Sequence, residues 1–386
     1  MVVIKKVKAT AISDSRKDKT ILVTIKTNIG DFSASSPSGK SVGKYEAKPY
    51  KKTLEGDIKA VEEFGEYFSK EILEKIEDLR RIEDVTDRNI GANTLFALES
   101  AILKAIAKEQ KKKVWQLINP DAKIFPRLIG NCVGGGKHSK GGERKPDFQE
   151  FEIIPETKTI KEAQELNKKS KKEVEILLKD ADKKFSGKKN DEKAWMTSLT
   201  EKEVLDVLKK TNLPLGIDVA ASSFYKRKKY NYLNPIFKRT EEEQLMYIGN
   251  LANNFKLFYV EDPFQEDDFE SYSKLVKKCP NSLIVGDDLT ATNPKRLEKA
   301  IKMKSIDAVM VKPNQIGSLL KVKDVVEIAK KNNIKIVFSH RSGETDETIL
   351  ADLAFGFQAD FFKCGIEGDE REFKIKRLIE IEKSLR

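Results

Sequence analysis

Residues 282–313 read SLIVGDDLTATNPKRLEKAIKMKSIDAVMVKP, and they hold one complete structural repeat. An apolar run, SLIVG, ends at Asp287; a loop and a helical pattern follow; a second apolar run, DAVMV, ends at Lys312. Continuous apolar runs of this kind are how parallel strands read when helices cover both faces of their sheet. The unit recurs on either side. LPLGI runs into Asp218, KLFYV into Glu261, KIVFS into His340 and ADFF into Lys363. From Glu261 onward these strand ends are spaced by 26, 25, 28 and 23 residues, one strand and one helix per step. Such a series predicts a closed (β/α) barrel. One acidic residue after a strand is ordinarily a turn residue or a helix cap. Six ionisable residues ending six successive strands instead meet around the barrel mouth, where active sites sit.

The first third reads as α+β. Residues 2–11 and 20–29 alternate apolar and polar, as half-buried strands do, around a turn-like SDSRKDK. A loop rich in small residues follows, SASSPSGKSVGKYE at 33–46. The pattern becomes helical from about residue 53. Its strongest helix follows Gly91-Ala92-Asn93, with Leu95, Leu98, Ile102 and Ile106 on one face. Pro120 and Pro126 bracket a linker. The expected division is an α+β unit over 1–125 and a barrel over 126–386.

Composition narrows the classes of function. The 386 residues are 39% hydrophobic, enough for a sizeable core. The net charge of +11 comes from 73 Lys+Arg against 62 Asp+Glu. The excess is dispersed lysine interrupted by acids, as across 168–193, with no stripe of arginine and aromatic residues. Specific nucleic-acid binding is therefore not expected, whereas a basic chain favours anionic small substrates. No apolar run approaches the ~18 residues of a membrane span, and MVVIKKVKAT lacks the apolar stretch of a secretory signal. Cys132, Cys279 and Cys364 lie too far apart to form a metal-ligand pattern or a disulfide framework. A reducing cytoplasm is the expected compartment. There are two histidines, His138 and His340, so each is informative.

Asp218, Glu261 and Asp287 arrive from neighbouring strands, and three carboxylates so placed repel one another unless a cation lies between them. Oxygen-only ligands favour Mg²⁺ over zinc; the competing use is an ion-pair network with the site's own lysines. Lys312 and Lys363 would lie near that cation. Positive neighbours disfavour a protonated lysine, and a neutral one serves as a general base. In SHRSGET (339–345), Arg341 and Ser342 with backbone N–H groups suit a phosphate.

Longer motifs are also present: SDSR (13–16), PSGKSVG (37–43), GAN (91–93), GGGKH (134–138), FQEF (148–151) and IDVAASSFY (217–225). Further on come VEDPFQEDD (260–268), VGDDLTATNPKR (285–296), VKPNQIGSL (311–319), SHRSGET and FKCG (362–365). Through these the chain resembles, almost end to end, the enolases of archaeal and bacterial type. The resemblance implies an α/β protein with a C-terminal enolase-type (β/α)8-like barrel, an N-terminal α+β capping domain and a mobile loop over 33–46. It implies reversible dehydration of 2-phosphoglycerate to phosphoenolpyruvate, in glycolysis and gluconeogenesis, by a cytoplasmic homodimer. Carried over position by position, it has Asp218, Glu261 and Asp287 bind Mg²⁺ and Ser41 help hold a second Mg²⁺. Lys312 removes the proton from carbon 2. Glu192 protonates the departing hydroxyl, with Glu150 beside it and His138 near the leaving group and phosphate. Arg341 and Ser342 bind the phosphate, His340 supports the site, and Lys363 contacts the substrate carboxylate.

The chain also departs from the family pattern. NDEKA (190–194) replaces a glycine-rich stretch, with Lys193 and Ala194 where glycines are usual. Those residues resist conformations that glycine permits, and Lys193 beside Glu192 is expected to favour the ionised carboxylate. The segment from His138 to Glu150 is longer than usual, Lys40 and Val42 alter the 33–46 loop, and Ser223 stands where a glutamate is usual. Two alternatives follow: an enolase-like paralogue using the same chemistry on another phosphorylated acid, or a non-catalytic binding protein on the same fold.

Overall fold

The computed structural model describes the chain except residues 41–42, 69–70, 87–88, 140–143 and 386. The N-terminal strands β1 (Ile4–Ser13), β2 (Lys19–Thr27) and β3 (Gly30–Ser35) form an antiparallel meander. Alternation turns Ile21, Val23 and Ile25 of β2 inward. They pack beneath α1 (Leu54–Phe68) and α3 (Ala92–Glu109), with α2 (Leu79–Thr86) alongside. The start of α3 explains Gly91: a Cβ there would lie 2.2 Å from Tyr50 Cα. Its absence lets residues 48–49 cross the helix end, where their carbonyls accept from Ala92 N at 2.9 Å and Asn93 N at 3.0 Å. The first orphan donors of the helix are thereby satisfied by backbone.

After α4 (Val114–Ile118) the chain enters the barrel with β4 (Arg127–Gly134) and β5 (Glu150–Ile153). Next come α5 (Ile160–Ala181), a short β6 (Trp195–Met196) that pairs with β4, α6 (Glu201–Leu208) and β7 (Leu215–Asp218). A small sheet of β8 (Tyr225–Lys226), β9 (Lys229–Leu233) and β10 (Ile236–Arg239) precedes α7 (Glu241–Phe255). The repeats then run β11 (Tyr259–Glu261), α8 (Phe269–Lys278), β12 (Leu283–Gly286), α9 (Pro294–Lys302), β13 (Ala308–Val311) and α10 (Leu319–Lys331). The chain finishes with β14 (Lys335–Ser339), α11 (Ile349–Gly356), β15 (Phe361–Lys363) and α12 (Asp369–Ser384). Pairing of β15 with β4 closes eight strands into a barrel, in the order β4-β5-β7-β11-β12-β13-β14-β15.

One feature differs from an all-parallel reading. β5 is antiparallel to both neighbours. Among the described residues of the 135–149 segment that joins β4 to β5 there is the short turn Gly136–His138 and no crossover helix. Antiparallel return needs only a loop, whereas a parallel crossover needs a dozen or more residues, usually helical.

The period of two in each strand builds the site. Tyr259, Val285, Met310 and Phe361 belong to one buried apolar cluster inside the barrel. Two residues later the same inward faces carry Glu261, Asp287, Lys312 and Lys363. Ladder register puts Glu150, Asp218 and Glu261 side by side across β5, β7 and β11. An apolar floor thus ends in an ionisable mouth.

Candidate active site

Lys363 stands at the centre of the mouth. Its Nζ lies 2.6 Å from Glu261 Oε2, 3.0 Å from Glu152 Oε1, 3.2 Å from Glu150 Oε2 and 3.4 Å from Asp218 Oδ2. Burial works against its charge, but these four carboxylates hold its pKa well above the usual lysine range. Gly216 makes room for the deepest of them, since a Cβ there would sit 2.7 Å from Glu152 Oε2.

Lys312 pairs with Asp287 Oδ2, while Gln315 Nε2 donates to Asp287 Oδ1 at 3.1 Å. Burial pushes Lys312 down, but Asp287 and Glu261 outweigh it and raise its pKa. This corrects the expectation of an easily deprotonated pair of lysines. The positive neighbours Arg341 and Lys363 do act in the expected direction on Lys312; the carboxylates are closer and prevail.

On the other side of the mouth lie His138, Glu150 and Glu192. His138 Nδ1 is 3.4 Å from Glu150 Oε1 and 3.3 Å from Glu192 Oε1. Burial pushes the His138 pKa down, yet Glu192 and Glu150 raise it overall. Burial pushes Glu192 up, but His138, His340 and Arg371, with the Asn131 amide, hold it well below the usual carboxylate range. The cause is not Lys193. That side chain is exposed, and the residue takes the left-handed backbone (φ 64°) for which glycine is favoured. Asn190 holds the turn, its Oδ1 accepting from Glu192 N at 2.9 Å and Ala194 N at 3.0 Å. The Lys171 ammonium caps the Lys193 carbonyl. The altered NDEKA stretch therefore keeps a tight turn that aims Glu192 inward and Lys193 outward.

At the rim, Arg341 grips Glu46 with both arms, at 2.9 and 3.1 Å, and also donates to Asn314 Oδ1 at 3.2 Å. Ser342 Oγ accepts from Lys40 N at 3.0 Å and from Arg16 Nη1 at 2.9 Å. Lys40 Nζ pairs with Asp191, tying the 33–46 loop to the residue before Glu192. His340 is buried, and its Nε2 lies 3.7 Å from Glu192 Oε2. Ser41 lies outside the described residues, as do residues 140–143 of the long segment between His138 and Glu150.

The donor set suits a hard divalent cation. The mouth offers oxygen ligands only from Asp218, Glu261 and Asp287, and Glu261 Oε1 is buried with no hydrogen-bond partner. Burial and the adjacent Asp218 push Glu261 up to about 7, a strain that a bound cation would relieve. Asp218 and Glu261 are gathered on Lys363, whereas Asp287 is turned toward Lys312. Among the described residues, the acidic trio with oxygens within 4.8 Å of one another is Asp262, Asp287 and Asp288. Asp262 is already engaged, accepting from Asp287 N at 3.0 Å, Asp288 N at 2.7 Å and Tyr272 Oη at 2.8 Å. It braces the β12 end and leaves the outward carboxylates for a ligand.

Sequence reasoning missed Glu46, Glu152, Gln315, Arg16 and Arg371. Glu152 carried a legible signal, a carboxylate two residues after Glu150 on the same strand face. The others come from loops and from α12, where no periodicity points at the mouth.

Comparison with known proteins covers nearly the whole chain. The family model described as "Enolase, C-terminal TIM barrel domain" matches residues 122–386, and "Enolase, N-terminal domain" matches 4–118. This chain belongs to the enolase family. Among curated enolases, that of Methanosphaera stadtmanae is 36% identical, covering 99% of this chain and 97% of its own. That of Archaeoglobus fulgidus is 34% identical, covering 98% and 97%, and that of Pyrobaculum aerophilum is 34% identical, covering 90% and 87%. The enolase fold is thus present from cap to barrel, and no helix among the described residues is long and apolar enough to cross a membrane.

Proposed function

We propose that this chain is an enolase, a lyase that interconverts 2-phosphoglycerate and phosphoenolpyruvate. Asp218, Glu261 and Asp287 hold Mg²⁺, and Ser41 helps hold a second Mg²⁺. One observation carries the reading. Lys312 and the His138–Glu150–Glu192 group line the same mouth, with Arg341 and Ser342 at its rim. When bound, Mg²⁺ supplies Lewis acidity toward the substrate carboxylate and offsets the carboxylate charge that keeps protons on the lysines.

Lys312 Nζ accepts the proton from carbon 2, and Lys363 steadies the substrate carboxylate. Glu192 delivers a proton to the leaving hydroxyl. That proton is stored on the His138–Glu192 pair, whose facing atoms are 3.3 Å apart, with Glu150 balancing the imidazolium. The substrate phosphate takes the place of Glu46 on the Arg341 fork and receives the Ser342 hydroxyl. Each charge-assisted hydrogen bond made there contributes roughly 1.5–3 kcal/mol. His340 supports Glu192 from behind.

Residues 1–125 form the cap and 126–386 the catalytic barrel of a homodimer. Three buried, unpaired cysteines fit a reducing cytoplasm. The deciding experiment follows phosphoenolpyruvate formation from 2-phosphoglycerate, with Mg²⁺ and with chelator. Product only in the presence of Mg²⁺ is expected. A folded, Mg²⁺-binding chain that forms none would assign the same chemistry to a different phosphorylated acid. Light scattering at micromolar concentration tests the dimer.

A further inference from the structure

Among the described residues, Arg371 heads the bulky, fully buried side chains, and its charge near Glu192 is the one part given to it so far. It lies in the first turn of α12, after Gly368. Burying a guanidinium costs heavily unless its donors are used. Among the described residues Arg371 has no carboxylate at ion-pair distance. Instead Nε–H donates to His340 Nδ1 at 3.1 Å, and Nη2–H donates to the Ser342 carbonyl at 3.2 Å. The backbone is shaped around it. Gly365 has φ +72°, and a Cβ there would come within 2.8 Å of Arg371 Cδ. A Cβ on Gly368 would lie 3.5 Å from both Arg371 Nη1 and Lys193 Cγ, so Gly368 sits between the guanidinium and the side chain that follows Glu192.

The chemistry of this contact is restrictive. Arginine only donates and stays charged. The nitrogen it faces must be a bare acceptor, which excludes both the imidazolium and the Nδ1–H tautomer of His340. The one remaining imidazole proton sits on Nε2, the nitrogen that faces Glu192 Oε2. The charged groups facing His340 are Glu192, Arg371, Lys363 and Lys312. Three of the four are cations, and together with burial they also favour the neutral ring.

We propose that Arg371 is a positioning residue: it holds His340 as the neutral Nε2–H tautomer facing Glu192 and pins the Ser342 backbone, so that one buried guanidinium orients both the acid end and the phosphate end of the mouth. The proposal rests on the roles given above to Glu192 and Ser342, but its first test does not depend on turnover. The chain holds two histidines, so its ¹⁵N spectrum contains two imidazoles, assigned by His138→Gln.

In the free wild-type chain, His340 should show a bare Nδ1 and a protonated Nε2 at every pH from 6 to 8.5. Arg371→Met should give a ring that titrates or mixes tautomers. With 2-phosphoglycerate it should lose at least about tenfold in kcat, with a smaller rise in KM, and Arg371→Lys should recover part of both signatures. A role in folding alone would lower the yield of folded protein and leave the tautomer of the folded fraction unchanged. A wild-type His340 that is protonated or Nδ1–H overturns the proposal, as does an Arg371→Met chain with wild-type tautomer and kcat. If Arg371→Met does not fold, the wild-type spectrum and Arg371→Lys decide. An Nε2–H tautomer in a chain that makes no phosphoenolpyruvate would reject the enolase activity while keeping the Arg371–His340 assignment.

Discussion

Lys312 holds its proton and Glu192 lacks one in the free chain, the reverse of what dehydration of 2-phosphoglycerate requires. The causes are local. Asp287 and Glu261 keep Lys312 charged, and His138 and Arg371, with the Asn131 amide, keep Glu192 ionised against its burial. A cation engaging Asp287 and Glu261 would remove the first hold, and His138, whose pKa the neighbouring carboxylates raise, is the proposed source of the proton that Glu192 lacks. Two substitutions separate these roles. Lys312→Ala should abolish exchange of the carbon-2 proton with deuterated water and cut turnover by about 10²–10⁴, while phosphoenolpyruvate still binds. Exchange at the wild-type rate would place the base elsewhere. Glu192→Gln should stop dehydration by a similar factor yet leave that exchange largely intact, because proton removal comes first. A Gln variant with full dehydratase activity would hand the acid role to another residue. At this scale the sequence named side chains that the structure brings together at one mouth. It misjudged the protonation of Lys312, and it expected an ionised Glu192 for the wrong reason, because it could see Lys193 next to Glu192 but not which way that side chain points or what Arg371 does from α12.

Elements decide which of those residues meet. Glu150 reaches Asp218 only because β5 runs antiparallel between β4 and β7, and a four-residue apolar and acidic segment carries no mark of strand direction. The 190–194 turn is set by Asn190 rather than by glycine, at the cost of one left-handed lysine. A second acidic residue is tuned by its element. Glu201 begins α6, where the Thr200 side chain accepts from Glu203 N, yet Glu201 is buried and accepts from Asp147 N at 2.7 Å. Burial, partly opposed by that hydrogen bond, pushes its carboxyl up to about 7. An unfolded glutamate titrates near 4.3. A folded value above the unfolded one means that the stability it contributes is complete below about pH 4.3 and is lost as pH rises through about 7. Glu201→Gln removes this titration. Its stability relative to wild type in urea melts should therefore rise between pH 5 and 8, by up to about 3 kcal/mol. Parallel pH dependence of the two chains would place the Glu201 proton equilibrium outside this window.

Across the whole molecule, the cap and the barrel share the site. Arg16, Glu46 and Lys40 come from the N-terminal third, and Arg341 and Ser342 from the barrel. A ligand that binds only the folded mouth should stabilise everything at once. Mg²⁺ at 100 times its dissociation constant adds about 2.7 kcal/mol, so the melting temperature should climb with Mg²⁺ and stay flat in Asp287→Asn. An Asn variant with an undiminished shift would move the metal away from Asp287. Sequence alone determined the barrel, the cap and the residues at the strand ends. Uninterrupted apolar runs every 23–28 residues admit few other packings, and a period of two forces the residue after each run onto the inner face. Tertiary structure alone decided the direction of β5, the grip of Glu46 on Arg341, the outward turn of Lys193 and the burial of Arg371 behind His340. These depend on contacts between separate segments, 31 residues apart for Arg371 and His340 and 295 for Glu46 and Arg341, or on side-chain directions in irregular loops, where no local period specifies the partner.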